Sequence, residues 1–575
     1  MSSPGFSRAA PGYAPCFHGT TRPSEKEADE VRDRVLTIAF LSATFLLRLV
    51  YVFNFRIDSD EPQDLHVVWA WTQGLLPYRD VFDNHMPLFH LLCAPLLLAI
   101  GEQPDVLVVM RIAMIPLYGL ALVALHRIAT RLFSRRTGGW VVVLAAAAPG
   151  FFLSSLEFRT DDLWMVLWLL ALVVALEGRL TPARSVEVGL LLGAALAVSL
   201  KTVLMLLAFG GAVLGTQLIV RREPIGRPSL TRSAAAAFAG VLAAPLAVTA
   251  LFAARGALGP FLYGTVWHDL TPELGDWSKA PHRWLFFPLL LPLLYGVAVA
   301  IARTTPRHGL GARRAFTFLA TAIYLTGVVT LWPLHTRQDF LPVTPLLCLF
   351  GAPFIQLGET HGRASHFWRA VPVLTALVFL AVLVGTESPW SGRAAKATAL
   401  ITDVLRLTAP GEPVMDLKGE TVFRPRPFYY VLEDVTKERL RLGLIADDIP
   451  ERLVASGTTV SVGSLEELPP RGARFVADNY VPVGRLRVAG HVIATRPASG
   501  DRVPFEVRIP SRYAIVTDAA PPRGQLDGTA YTGPRFLDPG PHEYVPAAAE
   551  GRIAVLWARA AARGFSPFHT HALHG

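Results

Sequence analysis

The chain has little charge, few cysteines and no nucleotide-binding motif, and each shortage excludes something. Asp, Glu, Lys and Arg make up 17% of the 575 residues, against about 25% in a soluble domain. With 52% hydrophobic residues and a mean hydropathy of +0.39, a soluble globular protein is excluded. Three cysteines, Cys16, Cys93 and Cys348, have neither disulfide nor metal-ligand spacing. No strong internal repeat is present, so the duplicated halves of many secondary transporters are missing. A cleavable signal peptide is not expected. The first apolar run, LTIAFLSATFLLRLVYVF, is longer than a signal-peptide core and reads as an uncleaved anchor.

What the sequence does have is apolar runs of about 15 to 22 residues, the mark of transmembrane helices. Spans are expected near 35–53, 106–126, 139–156, 162–177, 186–200, 203–220, 234–254, 284–302, 315–333, 341–357 and 369–386. The net charge of +9 points to no nucleic acid, because the arginines gather in short loops. RIATRLFSRR, RREPIGR and ARTTPRHGLGARR carry the positive-inside signature.

Those loops also set sidedness. With the N-terminal tail inside, the loop holding Arg127, Arg131, Arg135 and Arg136 must lie inside too. An odd number of crossings then separates it from the outside stretch after residue 53. PLFHLLCAPLLLAI, Pro87 to Ile100, contains Pro95 and is short of the roughly 20 residues a span needs. The parity holds if this segment lies along the interface or dips in and returns. About eleven crossings follow, and the C-terminal region lies outside. Asp60–Glu61, Glu157–Asp162, Lys201, His268–Asp276 and His335–Asp339 then share the outer face.

The expected fold class is an α-helical polytopic membrane protein with an exterior C-terminal α/β plus β domain. Residues 1–34 read as a cytoplasmic tail and 35–386 as the membrane domain, with an exterior loop at 54–105. Residues 387–500 read as an α/β region, with a helix at TALITDVLRLT and short strands at PVMDL and RFVADNY. Residues 501–575 read as β-rich, from FEVRIPSRYAIVTD, QLDGTAYTG, LDPGPHEY and RIAVLWAR. Asp416, Tyr480 and His542 in this region read as structural polar residues. The abundance of arginine and alanine hints at a bacterial source, hence a plasma (inner) membrane.

Several polar residues stand where chemistry is feasible. Asp60 and Glu61 follow a span directly, beside Trp69, Trp71 and Tyr78. Those rings suit either sugar stacking or the membrane belt. Asp161 and Asp162 open a helix, where acids suit the positive end of the macrodipole or supply a second acid. Lys201 interrupts a long apolar run and either snorkels or meets a lipid phosphate. Arg48, Arg111 and Arg337, with His335, add cations at the same face. Cations beside acids at a membrane face suit a ligand with a phosphate head and a hydrophobic tail.

At this point the sequence resembles a family. SDEPQDLHVVWAWTQGLLPYRDVFDNHMPLFHLL is similar to the first exterior loop of multi-spanning glycosyltransferases related to protein O-mannosyltransferases and aminoarabinose transferases, of the GT-C type. Their pattern is D-E, an alanine-containing helix, G-x-x-P-Y-x-D and P-P-L. Here it is met by Asp60–Glu61, Ala70, Gly74, Pro77–Tyr78, Asp80 and Pro87–Leu88, with Met86 in place of the first proline. The likeness continues through Arg111, Asp161 or Asp162, and Lys201. It extends to TRQDFLPVTPLL, similar to R-Y-L-L-P-x-x-P but with phenylalanine for tyrosine and one residue fewer before the proline, a departure that touches Arg337.

The resemblance implies a polyprenyl-phosphate sugar as donor and a glycan, lipid or protein acceptor. It implies Asp60 as base with Glu61 beside it, and Asp161 or Asp162 as a second acid, acceptor or metal site. Lys201, Arg111, Arg337 and His335 become donor-phosphate ligands, and Tyr78, Asp83 and His85 contacts to sugar or acceptor. Inversion at the sugar carbon belongs to the family's pattern alone. No motif demands a divalent metal, although Asp60, Glu61 and Asp162 are of the right type to hold one. Two readings of other classes stand beside this one. A transporter or flippase of envelope lipids needs charges at mid-membrane, and an envelope scaffold needs no clustered acids.

Overall fold

The computed structural model describes residues 25–568, apart from 179, 221–226, 272–273, 276–281, 306–307, 359–362, 519–520 and 550. Most of the expected tail at 1–34, the loop with Arg221 and Arg222, and Asp276 lie outside the described residues.

Helices α1 (Glu25–Asn54), α2 (Asp60–Thr72), α3 (Leu88–Ile100), α4 (Val106–Leu132), α5 (Arg135–Ala147), α6 (Pro149–Ser154), α7 (Thr160–Leu176), α8 (Pro182–Val198), α9 (Thr202–Val220) and α10 (Arg227–Ala254) begin the membrane domain. Helices Phe286–Thr304, His308–Leu331 and Arg363–Thr386 complete its long members. Among the described residues, seven helices are long and apolar enough to cross a bilayer. Four expected spans take shorter forms. The run at 139–156 is two helices, because Ala148 before Pro149 is extended (ψ 118°), as proline imposes on its predecessor. Helices α7 and α8 have 17 residues each, about 25 Å at 1.5 Å per residue. The run at 341–357 breaks into short helical turns between Thr344 and Leu357.

Burial separates core from lipid-facing surface. Trp140, Trp164 and Trp168 are fully buried between helices, whereas Leu214, Phe238, Leu289 and Leu377 point outward, as a lipid-facing shell requires. Helices α8 and α10 approach closely through glycine. A Cβ on Gly193 would stand 2.5 Å from the Val241 carbonyl oxygen, and one on Gly240 would stand 2.7 Å from that of Val186. Gly189 and Gly193 are four apart, the small-residue spacing that lets two membrane helices touch.

The bundle has two chemically different ends. At one, Arg136 pairs with Asp33 and Arg131 with Glu177, while Arg314 donates to the Leu132 carbonyl. At the other lie the start of α2, the starts of α4, α7 and α9, and the 335–339 turn. Helix α3 stays at this second end. His90 near its start binds Asp64, and Glu102 just past its end binds Arg424 of the C-terminal region.

The C-terminal region packs on this same end. The amphipathic helix Ala394–Leu407 forms where expected. Strands β1 (Val414–Met415), β2 (Val460–Ser461), β3 (Tyr480–Val483), β4 (Leu486–Thr495), β5 (Val503–Val507), β6 (Ser511–Thr517), β7 (Gly524–Leu526), β8 (Thr529–Ala530), β9 (Arg535–Leu537), β10 (Gly540–Pro546) and β11 (Arg552–Trp557) follow. The order β1-β2-β4-β11-β6-β9, with β3 also on β4, makes a seven-stranded sheet, and β5-β10-β7-β8 makes a second. Strands from 387–500 and from 501–575 therefore share one sheet. RFVADNY is a correction. Residues 470–479 form a helix opened by Pro470, with Gly472 and Val476 buried one turn apart, and the strand begins only at Tyr480. Asp416, Tyr480 and His542 hold internal bonds, to Arg426, Thr458 and Asp527 respectively.

Candidate active site

Two acids in the first turn of α2 have different environments. Glu61 is fully buried. Its carboxylate accepts from Arg111 Nε at 2.7 Å, the Phe158 amide at 2.9 Å and the Asp58 amide at 2.7 Å. Arg111 also donates to the Phe55 carbonyl at 2.9 Å. The Glu61–Arg111 pair thus ties α1, α2, α4 and the 157–159 turn together.

Asp60 is part-exposed and opens a chain of alternating charge. Lys418 Nζ lies 2.8 Å from its Oδ1 and Arg159 Nη1 2.7 Å from its Oδ2. Arg159 also pairs with Asp58 and Asp161, each at 3.2 Å. Lys201 Nζ lies 3.7 Å from Asp161 and 2.6 Å from Asp339. The order Lys418, Asp60, Arg159, Asp161, Lys201, Asp339 joins five separate stretches of chain. Asp339 is set by its own turn, where its Oδ2 accepts from the Thr336 amide at 2.7 Å. Burial opposes ionisation of Asp60, but Arg159 and Lys418 outweigh it and hold the carboxyl well below its usual range. Glu157 in the adjacent turn goes the other way. Burial, then the charges of Glu61 and Asp58, push it up to about 8.

A second chain runs beside the first. His90 Nε2 lies 3.0 Å from Asp64, and its Nδ1 lies 3.3 Å from Asp83. Asp83 in turn pairs with His85 at 3.3 Å and accepts its amide at 3.0 Å. Burial opposes charge on His85, yet the Asp83 hydrogen bond and the fields of Asp64, Asp83 and Asp60 raise it to about 9. Asp269, after a single π-helical turn at Tyr263–Trp267, is raised to about 7 by burial and by Glu433.

The sequence-derived candidates therefore part company. Asp60, Asp161 and Lys201 stand in one chain, with Asp83 and His85 adjoining. Asp162 turns inward, and neither carboxylate oxygen has a hydrogen-bond partner among the described residues. Arg337 is half-exposed and 3.9 Å from Glu157. His335 Nε2 lies 2.9 Å from the Val328 carbonyl. The Tyr78 ring is buried against Phe252 and Phe261. Its backbone has φ 68°, and its hydroxyl donates to the His85 carbonyl at 2.5 Å. Arg159, Asp339, His90 and Lys418 have no role of their own in the sequence reading, and Asp64 stands there only as one of several carboxylates after the first span. Arg159 and Asp339 lie inside the polar stretches EFRTDD and HTRQD, so a signal was present. Among the described residues no three His, Cys, Asp or Glu side chains converge as metal ligands would.

Solved structures share the fold of this chain. ArnT from Cupriavidus metallidurans in the apo state superposes with a TM-score of 0.52 at 12% identity, over 79% of this chain and 98% of that one. The chain has the GT-C fold. ArnT bound to undecaprenyl phosphate gives a TM-score of 0.50 at 12% identity, over 80% of this chain and 96% of ArnT. The oligosaccharyltransferase of Archaeoglobus fulgidus, in its apo form, gives 0.42 at 12% identity over 77% and 72%. No protein-family model matches the sequence, and no curated protein does. At this identity the likeness is one of fold.

Proposed function

We propose that the chain is a membrane glycosyltransferase that moves a sugar from a polyprenyl-phosphate carrier to an acceptor hydroxyl at the outer membrane face. The alternating chain from Asp60 to Asp339 carries this reading, because it places a part-exposed carboxylate within one network of two cations, Arg159 and Lys201. The GT-C fold agrees, as does the undecaprenyl phosphate held by ArnT. Loop arginines at the opposite end favour that end as cytoplasmic, which supports a C-terminal domain on the outer side.

The acceptor oxygen attacks the anomeric carbon, and the bond from that carbon to the phosphate oxygen breaks. The acceptor proton passes to Asp60, help worth about 10²–10⁴-fold. The phosphate leaves with the bonding pair, and Lys201 and Arg159 stabilise its charge. The charges gather at one end of the bundle, which speaks against a transporter with a midplane site. Transfer from radiolabelled polyprenyl-phosphate sugars in membranes tests the reading. The wild type transfers one such sugar, and Asp60→Asn, inserted equally well, does not. A wild type that transfers from no such donor overturns it.

A further inference from the structure

The C-terminal domain sends one charged side chain into the acid–base chain. Lys418 lies in DLKGET, and Asp416 organises that loop. The buried Asp416 carboxylate accepts from the Gly419 amide at 3.0 Å, the Thr421 amide at 3.1 Å and Arg426 Nε at 2.6 Å. Glu420 accepts from the Lys418 amide at 2.8 Å. The loop is clamped onto α2 as well. His66 Nδ1 lies 2.7 Å from the Val422 carbonyl, and Val422 has φ 51°, a costly conformation for a β-branched residue. So much fixed backbone aims one flexible cation at Asp60 and at the Ser59 hydroxyl, 3.2 Å away.

The pair has a chemical drawback for the proposed reaction. A carboxylate gripped by two cations takes up a proton poorly, and Asp60 is held low for that reason. Arg159 is nearly buried and shared among three acids, so it is not free to leave. Lys418 has four rotatable methylenes, a compact charge and a part-exposed pair, of the kind that contributes little to stability.

We propose that Lys418 is a donor-binding residue that exchanges Asp60 for the phosphate of the lipid carrier, so that arrival of the donor both neutralises the phosphate and frees the base. The C-terminal domain is then part of the active site. This rests on the glycosyltransferase reading. The shared chemistry is a phosphate oxyanion, esterified in a lipid head group or free in solution.

The test titrates undecaprenyl phosphate, or inorganic phosphate, into the full-length protein in nanodiscs, read by tryptophan fluorescence. Lys418→Ala weakens undecaprenyl phosphate binding about 10- to 100-fold, the loss expected of a charged hydrogen bond, and Lys418→Arg restores most of it. Asp60→Asn binds more tightly than wild type, and that gain is absent when Lys418→Ala is added. Should Lys418→Ala fail to fold, Lys418→Gln reads the same loss. Binding of inorganic phosphate with the same dependence on Lys418 assigns the exchange to free phosphate, and its absence assigns it to the lipid head group; both support the exchange. Undiminished binding by a folded Lys418→Ala overturns this inference alone. A wild type that binds neither probe overturns it together with the donor assignment.

Discussion

Glu61 and Arg111 hold each other in a two-point ion pair closed to solvent, while Asp60, the preceding residue, keeps a carboxylate about one-quarter exposed. Adjacent acids thus divide, one closed into the scaffold and the other open to a ligand. Arg111→Ala leaves Glu61 charged and buried, so it should cost about 3–5 kcal/mol. A lower melting temperature in detergent checks this. The double variant Arg111→Met/Glu61→Leu should be less destabilised than either single change, since no orphan charge remains.

Lys201→Met should preserve folding and lower turnover about 10²- to 10³-fold, the range for losing one preorganised group at a developing charge. Asp339→Asn should give a smaller loss. It removes the ion pair that aims Lys201, at 2.6 Å, but leaves the cation. Steady-state transfer rates for the two variants separate these roles.

His85 makes stability depend on pH. Its folded value, about 9, stands above the ordinary 6.5. The histidine therefore stabilises the fold fully below pH 6.5, and that contribution is lost as pH rises through 9. Asp83, Asp64 and Asp60 are the facing acids. The melting-temperature difference between wild type and His85→Gln should be constant below about pH 6 and vanish near pH 10. A difference that grew with pH would contradict this assignment.

Gly419 takes φ 93°, and a Cβ there would stand 2.9 Å from the His66 Cβ. Gly419→Ala should lift the 416–422 loop from α2, at a cost of about 1–3 kcal/mol in backbone strain alone. Transfer should fall in parallel although the residue bears no charge.

The membrane class, the long helices and the common face of Asp60, Asp161 and Lys201 were legible because hydropathy and loop charge obey one-dimensional rules. Partnership was not. Glu61 and Arg111 have the charges of a base and a phosphate ligand, and only their shared burial shows them occupied with each other. Lys418 lies 358 residues from Asp60 in a polar loop like any other. RFVADNY carries strand-forming residues, yet Pro470 and the facing sheet make most of it a helix.

Helix α3 has both ends at the site end of the bundle, and Leu92, Leu96 and Leu98 point outward from it. A helix so disposed suits the boundary between head groups and acyl chains. On the proposed function, a carrier lipid reaches the charged chain sideways, out of a two-dimensional solution. What governs occupancy is its mole fraction among neighbouring lipids. Diluting proteoliposomes with buffer should leave the rate per protein unchanged, while diluting the carrier with inert phospholipid should slow it.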